Sequence, residues 1–434
     1  MKAFDIAAIL IAVAAVSGYI NHRLLKLPAT SGTLVVALIS SLIVVAADRL
    51  YPPLDLLGPV AAFLARIDFD QTVMHGMLCF LLFAGALHVD LEGLLENKLT
   101  IAALSTVGVL LSTAIVGMLT WLAFNAIGID VPLLVSLVFG ALISPTDPIA
   151  VMGLLKELRA PANLEAQIAG ESLFNDGVGV VVFFALVAVA GLQGATEPVM
   201  VSVNAGGLVS FFLREVAGGA ALGLVLGYVG YRALCTLNDH ALELLITLAL
   251  VMFTYAVSFW IRVSGPIAVV VAGLLIGNPG RQFAMSDRTR EHVDAFWSMT
   301  DEIMNAVLFL LLGLEVFALR VPASGIVAAL LAIVIALAAR FVSVAVPVAA
   351  MRGRGQFVRG IVPVLTWSGL RGGISVAMVL SLPPFPSRDL LLACTYAVVV
   401  FSILVQGLTV RKLLVHYGVG NQSRAAPAAF RHLR

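Results

Sequence analysis

Apolar runs long enough to cross a bilayer recur along the whole chain, and they restrict it to one class of fold. A transmembrane helix needs about 20 predominantly apolar residues, whereas a barrel strand needs about 10 in strict alternation. The runs here are continuous and of the first kind, at 4–20, 30–47, 71–89, 99–125, 132–156, 166–192, 206–234, 241–260, 262–278, 299–319, 326–351, 358–380 and 390–415. Only 12% of the residues are charged, against about 25% in soluble domains. Lipid offers the backbone no hydrogen-bond partner, so each spanning segment must close its own bonds as a helix. The expectation is an all-α polytopic membrane protein of about 13 transmembrane helices. The stretch 54–67 is too short to span and reads as a surface or re-entrant helix.

Thirteen crossings place the termini on opposite sides. Seventeen Lys and Arg residues, among them Arg23, Lys98, Lys156, Arg159 and Arg411, fall on the side of the C-terminus. Six fall on the other side: Lys2, Arg49, Arg66, Arg262, Arg320 and Arg388. Basic residues concentrate in cytoplasmic loops, so the C-terminus is expected in the cytoplasm and the N-terminus outside. Arg214, Arg340 and Arg371 are left at membrane depth. The net charge of +1 argues for no nucleic-acid partner. Cys79, Cys235 and Cys394 lie far apart in apolar segments and read as small core residues.

Two stretches break the apolar pattern with groups that are expensive in lipid. In the fifth span, Ser-Pro-Thr-Asp-Pro (144–148) places Asp147 between two prolines. Pro145 and Pro148 remove backbone donors and interrupt the helix, freeing carbonyls and amides of the kind that build ion sites in transporters. The sixth span carries Glu171, Ser172, Asn175 and Asp176. Glu171/Asn175 and Ser172/Asp176 are each four apart, so they share a face. A charged group at mid-bilayer costs roughly 2.5–3.5 kcal/mol on the lenient insertion scale, so such acids point to ion or proton handling.

The twelfth span contains WSGLRGG, with Arg371 among Gly369, Gly372 and Gly373. A buried guanidinium needs a carboxylate, and Glu171 is the best-placed candidate in the sequence. The interrupted spans five and twelve lie seven apart, an odd offset, so they cross in opposite directions as inverted repeats would. Glu215, Glu243, Asp301 and Glu302 lie near the ends of spans and read as structural. His75, His88, His240, His292 and His416 read as isolated interfacial residues, and the loop 279–298 as a solvated connector or interfacial helix.

SPTDP, ESLFNDG and WSGLRGG, in that order, resemble the cation:proton antiporter-1 family, the bacterial NhaP-type sodium/proton antiporters related to animal sodium/hydrogen exchangers. The likeness runs from the first helix to Val415. It implies a homodimer in which an interface domain (1–98 and 206–319) flanks a six-helix core (99–192 and 326–415) that moves as an elevator. A short basic cytoplasmic tail (416–434) would follow. It further implies that Asp176 binds ion and proton, with Asn175 as its neighbour in an Asn-Asp pair. Thr146, Asp147 and Ser172 would surround the Na+, and Glu171 and Arg371 would form a buried ion pair. Asn-Asp rather than Asp-Asp implies electroneutral exchange, one proton per cation. An acidic residue that some members carry on the third helix is Ala84 here.

The expected activity is therefore exchange of cytoplasmic Na+ or Li+ for external H+ across a bacterial inner membrane, serving pH and sodium homeostasis without a cofactor. The same machine working on K+ is the nearest alternative. An intramembrane hydrolase finds no GxGD, HExxH or GxSxG in a membrane segment, and a channel finds no carbonyl-lined filter.

Overall fold

The structure, a computed structural model, describes residues 3–51, 55, 57–64, 70–192, 205–237, 239–314, 317, 323–351, 353, 357–358 and 360–419. All regular elements within them are helical. In chain order they are α1 (Ala3–Ile20), α2 (Ala29–Leu50), α3 (Leu57–Leu64), α4 (Leu78–Leu87), α5 (Leu91–Glu96) and α6 (Lys98–Ala126). Then come α7 (Leu133–Ile143), α8 (Ile149–Leu158), α9 (Ala162–Val189), α10 (Ala205–Leu234), α11 (His240–Ile261) and α12 (Gly265–Gly280). The last five are α13 (Asp287–Leu314), α14 (Ala323–Ala350), α15 (Ile361–Ser368), α16 (Gly373–Leu380) and α17 (Arg388–His416).

Among the described residues, nine helices are long and apolar enough to cross a membrane, and three shorter apolar helices accompany them. The expected spans five and twelve each appear as a broken pair, α7–α8 and α15–α16. Of the stretch 54–67, the described part holds only the eight-residue α3. The tail from 420 onward lies outside the described residues.

Local chemistry sets the helix ends. Pro132 and Pro161 precede α7 and α9, where a missing N–H costs nothing. Asp239 caps α11 by accepting from the amides of Ala241 and Leu242, and Ser264 caps α12 by accepting from Ile267. Left-handed residues, Arg159 and Arg262, close α8 and α11.

Packing sorts the helices into two sets. One comprises α6, α7, α9 and α14 to α17; the other α1, α2, α4 and α10 to α13. They meet where α9 lies against α10, α12 and α4, and where α13 lies against α16. In the second set α10 and α12 approach closely: a Cβ at Gly219 would lie 2.6 Å from the Ser264 carbonyl.

Three expectations change. Helix α13 begins at Asp287, not at 299, because its polar first turns are anchored by fully buried Trp297. That indole donates to Thr247 Oγ1 at 3.1 Å and packs on Phe83 with ring centroids 4.7 Å apart. Cys79 and Cys394 are buried, but Cys235 is exposed, since it follows the end of α10. His240 and His292 are not isolated; their rings stand 4.7 Å apart.

Candidate functional site

Pro145 and Pro148 cannot donate to the preceding turn, and the chain leaves helical geometry between α7 and α8. Between α15 and α16 the break depends on Gly369 and Gly372 instead. The two unwound stretches cross antiparallel, joined by the Asp147 amide donating to the Leu370 carbonyl at 2.8 Å. The crossing needs a glycine, because a Cβ at position 372 would lie 2.6 Å from Asp147 Oδ2. Asp147 Oδ1 accepts from the Ile149 amide at 2.9 Å, which holds its carboxylate at the electropositive start of α8.

Arg371 satisfies the carbonyls that the prolines set free. Its Nη1 donates to the Pro145 carbonyl at 2.8 Å and also to the Ser144 carbonyl. Its amide donates at 2.8 Å to Ser402 Oγ, in the π-helical turn Ser402–Gln406 of α17. The guanidinium thus caps the electronegative end of α7.

The expected Glu171–Arg371 pair is replaced by another. Glu171 Oε1 accepts from Arg340 Nη1 at 2.5 Å, and Arg340 Nη2 donates to the Leu365 carbonyl at 3.2 Å. The reason is positional. Helices α9 and α14 both pack on the π-helical turn Ala103–Gly108 of α6, which brings Arg340 over Glu171. Arg371 is meanwhile held by α7. Both arginines and Glu171 are buried. Arg214, also placed at membrane depth by the sequence, is 56% exposed and lies 3.6 Å from Glu215.

Thr146, Ser172 and Asn175 form one hydrogen-bonded group. Asn175 Oδ1 accepts from the Thr146 amide at 3.1 Å, Asn175 Nδ2 donates to Thr146 Oγ1 at 2.6 Å, and Ser172 Oγ lies 3.2 Å from Thr146 Oγ1. A cavity of about 440 Å³ opens beside them, lined by Thr146, Asp147 and Asp176. Ser172 and Asn175 do not line it; they hold Thr146, which does. The cavity runs past Asp301 and Asn305 to exposed His88, Asp90 and Lys156, with Ala84 in its wall. Among the described residues the Asp176 carboxylate has no hydrogen-bond or ion-pair partner. Carboxylate and hydroxyl oxygens are the donors that suit a hard cation.

Sequence reasoning did not bring Arg340, Asp301 and Asn305 to the site. A basic residue in an apolar run was the available signal for Arg340. For the other two it was their spacing of four within one helix.

Residues 11–416 match the family model described as sodium/hydrogen exchanger, transmembrane. The chain is 44% identical over 415 residues to the Na+/H+ antiporter NhaP of Pseudomonas aeruginosa, covering 94% of this chain and 96% of that one. It is 34% identical over 353 residues to the Na+/H+ antiporter NhaH of Halobacillus dabanensis, covering 81% and 84% respectively. The fold is similar to that of the sodium proton antiporter MjNhaP1 from Methanocaldococcus jannaschii at pH 8, with a TM-score of 0.72 over 94% of this chain and 96% of that one at 17% identity.

Proposed function

The chain belongs to the sodium/hydrogen exchanger family, and from that premise we propose that it is a secondary active antiporter exchanging cytoplasmic Na+ for external H+. One observation carries the site assignment. Asp147 and Asp176 stand at the inner end of the cavity where the two unwound stretches cross, while Arg340 and Arg371 are engaged elsewhere. Asp176 is therefore open to either a proton or a cation.

Each ligand neutralises the same carboxylate, so binding is competitive. A bare carboxylate at mid-membrane costs roughly 2.5–3.5 kcal/mol on the insertion scale and more in a dry barrier, so the unloaded site does not cross. Coupling follows: Na+ crosses one way, H+ returns, and the exchange of one for one is electroneutral. Thr146 supplies a hydroxyl ligand held in place by Ser172 and Asn175, and Asp147 a second carboxylate.

The movement is of the elevator type, with α6, α7, α9 and α14 to α17 sliding against α1, α2, α4 and α10 to α13. The division of packing into these two sets supports it. The second set supplies the interface of a homodimer. Li+ shares the site with Na+, and the reaction needs no cofactor. The protein lies in a bacterial inner membrane with thirteen crossings, N-terminus outside and C-terminus inside, so the cavity, whose lining includes exposed Lys156 on the C-terminal side, faces the cytoplasm.

The test is proton movement in proteoliposomes under imposed gradients of Na+, Li+ or K+, with the membrane potential clamped at several values. Na+-driven proton flux independent of the clamp is the expected result. Flux with K+ alone would reassign the substrate, and none with any of the three would end the proposal.

A further inference from the structure

The cavity holds a second pair of oxygen donors that the exchange step does not use. Asp301 and Asn305 lie four residues apart on one face of α13, and both line the cavity between Asp176 and its exposed end. Asn305 is 2% exposed. Its Nδ2 donates to the Asp301 carbonyl at 2.8 Å and to Asp301 Oδ1 at 3.1 Å. These bonds fix the orientation of the amide, because only its nitrogen can donate. Its oxygen is left over, and among the described residues Asn305 Oδ1 has no hydrogen-bond partner. A buried oxygen without a donor is unfavourable, and a cation admitted beside Asn305 from the cavity would relieve it. Asp301 supplies charge at the same place, and among the described residues no Lys, Arg or His forms an ion pair with it.

We propose that Asp301 and Asn305 form an outer station for a monovalent cation, which receives it from solution before it passes to Asp147 and Asp176. The inference rests on the exchange reading for its role in transport, but cation binding at the station can be measured without transport. One carboxylate and one amide oxygen, completed by water, suit an alkali cation. A divalent ion of this hardness is held by several carboxylates. The station also places a carboxylate in the cavity from α13, whereas α4, which lines it with Leu81, Leu82, Ala84 and Gly85, supplies none.

The experiment is equilibrium 22Na+ binding to the purified full chain in four forms: wild type, Asp176→Asn, Asp301→Asn and the double variant. Asp176→Asn is expected to keep a weaker binding component that Asp301→Asn removes. In transport, Asp301→Asn is expected to raise the apparent KM for Na+ about tenfold, the loss of one charge at contact distance in water-like surroundings, with Vmax changed less than about twofold. Asn305→Asp adds a charge at the vacant acceptor and is expected to tighten Na+ binding, which a purely structural asparagine would not do. Equal Na+ binding by Asp176→Asn with and without Asp301→Asn would overturn the station and assign the orphaned oxygen to water. Absence of Na+-coupled proton flux in wild type would overturn the exchange reading instead, leaving the binding result to stand by itself.

Discussion

Removing the Arg340 guanidinium would leave Glu171 charged and partnerless in a position where its side chain is only 2% exposed. Breaking a buried ion pair from one side costs about 3–5 kcal/mol. The Leu365 carbonyl loses a donor as well, worth about 1 kcal/mol. Arg340→Ala is therefore expected to destabilise the protein by about 4–6 kcal/mol. Most of that comes from the stranded charge, so Arg340→Ala/Glu171→Gln should be about 2 kcal/mol more stable than Arg340→Ala alone. Arg371 behaves differently, since its donors go to the Ser144 and Pro145 carbonyls. In Arg371→Ala, adding Glu171→Gln should bring no comparable recovery, with coupling below about 1 kcal/mol. The assay is a double-variant cycle for each arginine, by reversible unfolding in mixed micelles followed by tryptophan fluorescence. Stronger coupling of Glu171 to Arg371 than to Arg340 would refute the pairing.

Two further substitutions probe the crossing. Gly372→Ala puts a carbon 2.6 Å from Asp147 Oδ2; overpacking of this kind costs about 1–3 kcal/mol, and a raised KM for Na+ in protein that still inserts is the expected result. An unchanged KM would mean that the crossing has slack. Asn175→Leu keeps the number and branching of side-chain heavy atoms but deprives the buried Thr146 amide of its acceptor, at about 1–3 kcal/mol. Its unfolding midpoint and Na+ affinity should both fall; unchanged values would mean that the Thr146 amide finds another acceptor.

The breaks were legible because each carries its cause in the sequence. Two prolines around Asp147, and glycines on either side of Arg371, interrupt runs that are otherwise apolar. The acids of α9 were legible from their cost in lipid and their spacing of four. Which arginine meets Glu171 was not, because Arg340 and Arg371 are both lone basic residues in apolar spans. The choice depends on which helix faces pack together, here α9 and α14 on the turn Ala103–Gly108. Asp301 was misplaced for a different reason. A hydropathy limit at 299 made it a helix-end residue, yet α13 starts at Asp287 because Thr289, Val293 and Trp297, four apart, bury one face of its first half. Apolar length marks where a helix can enter lipid, and says little about how far it continues into water.

In the proposed mechanism a proton and a cation exchange at the Asp176 carboxylate, and counting protons as Na+ binds tests that exchange most directly. Purified protein in weakly buffered detergent solution near neutral pH would be titrated with Na+ against a pH-sensitive dye, beside Asp176→Asn. Competition at one carboxylate predicts up to about one proton released per Na+ bound by wild type, and no such release by the variant. Na+ binding to wild type without proton release, or equal release from Asp176→Asn, would contradict it.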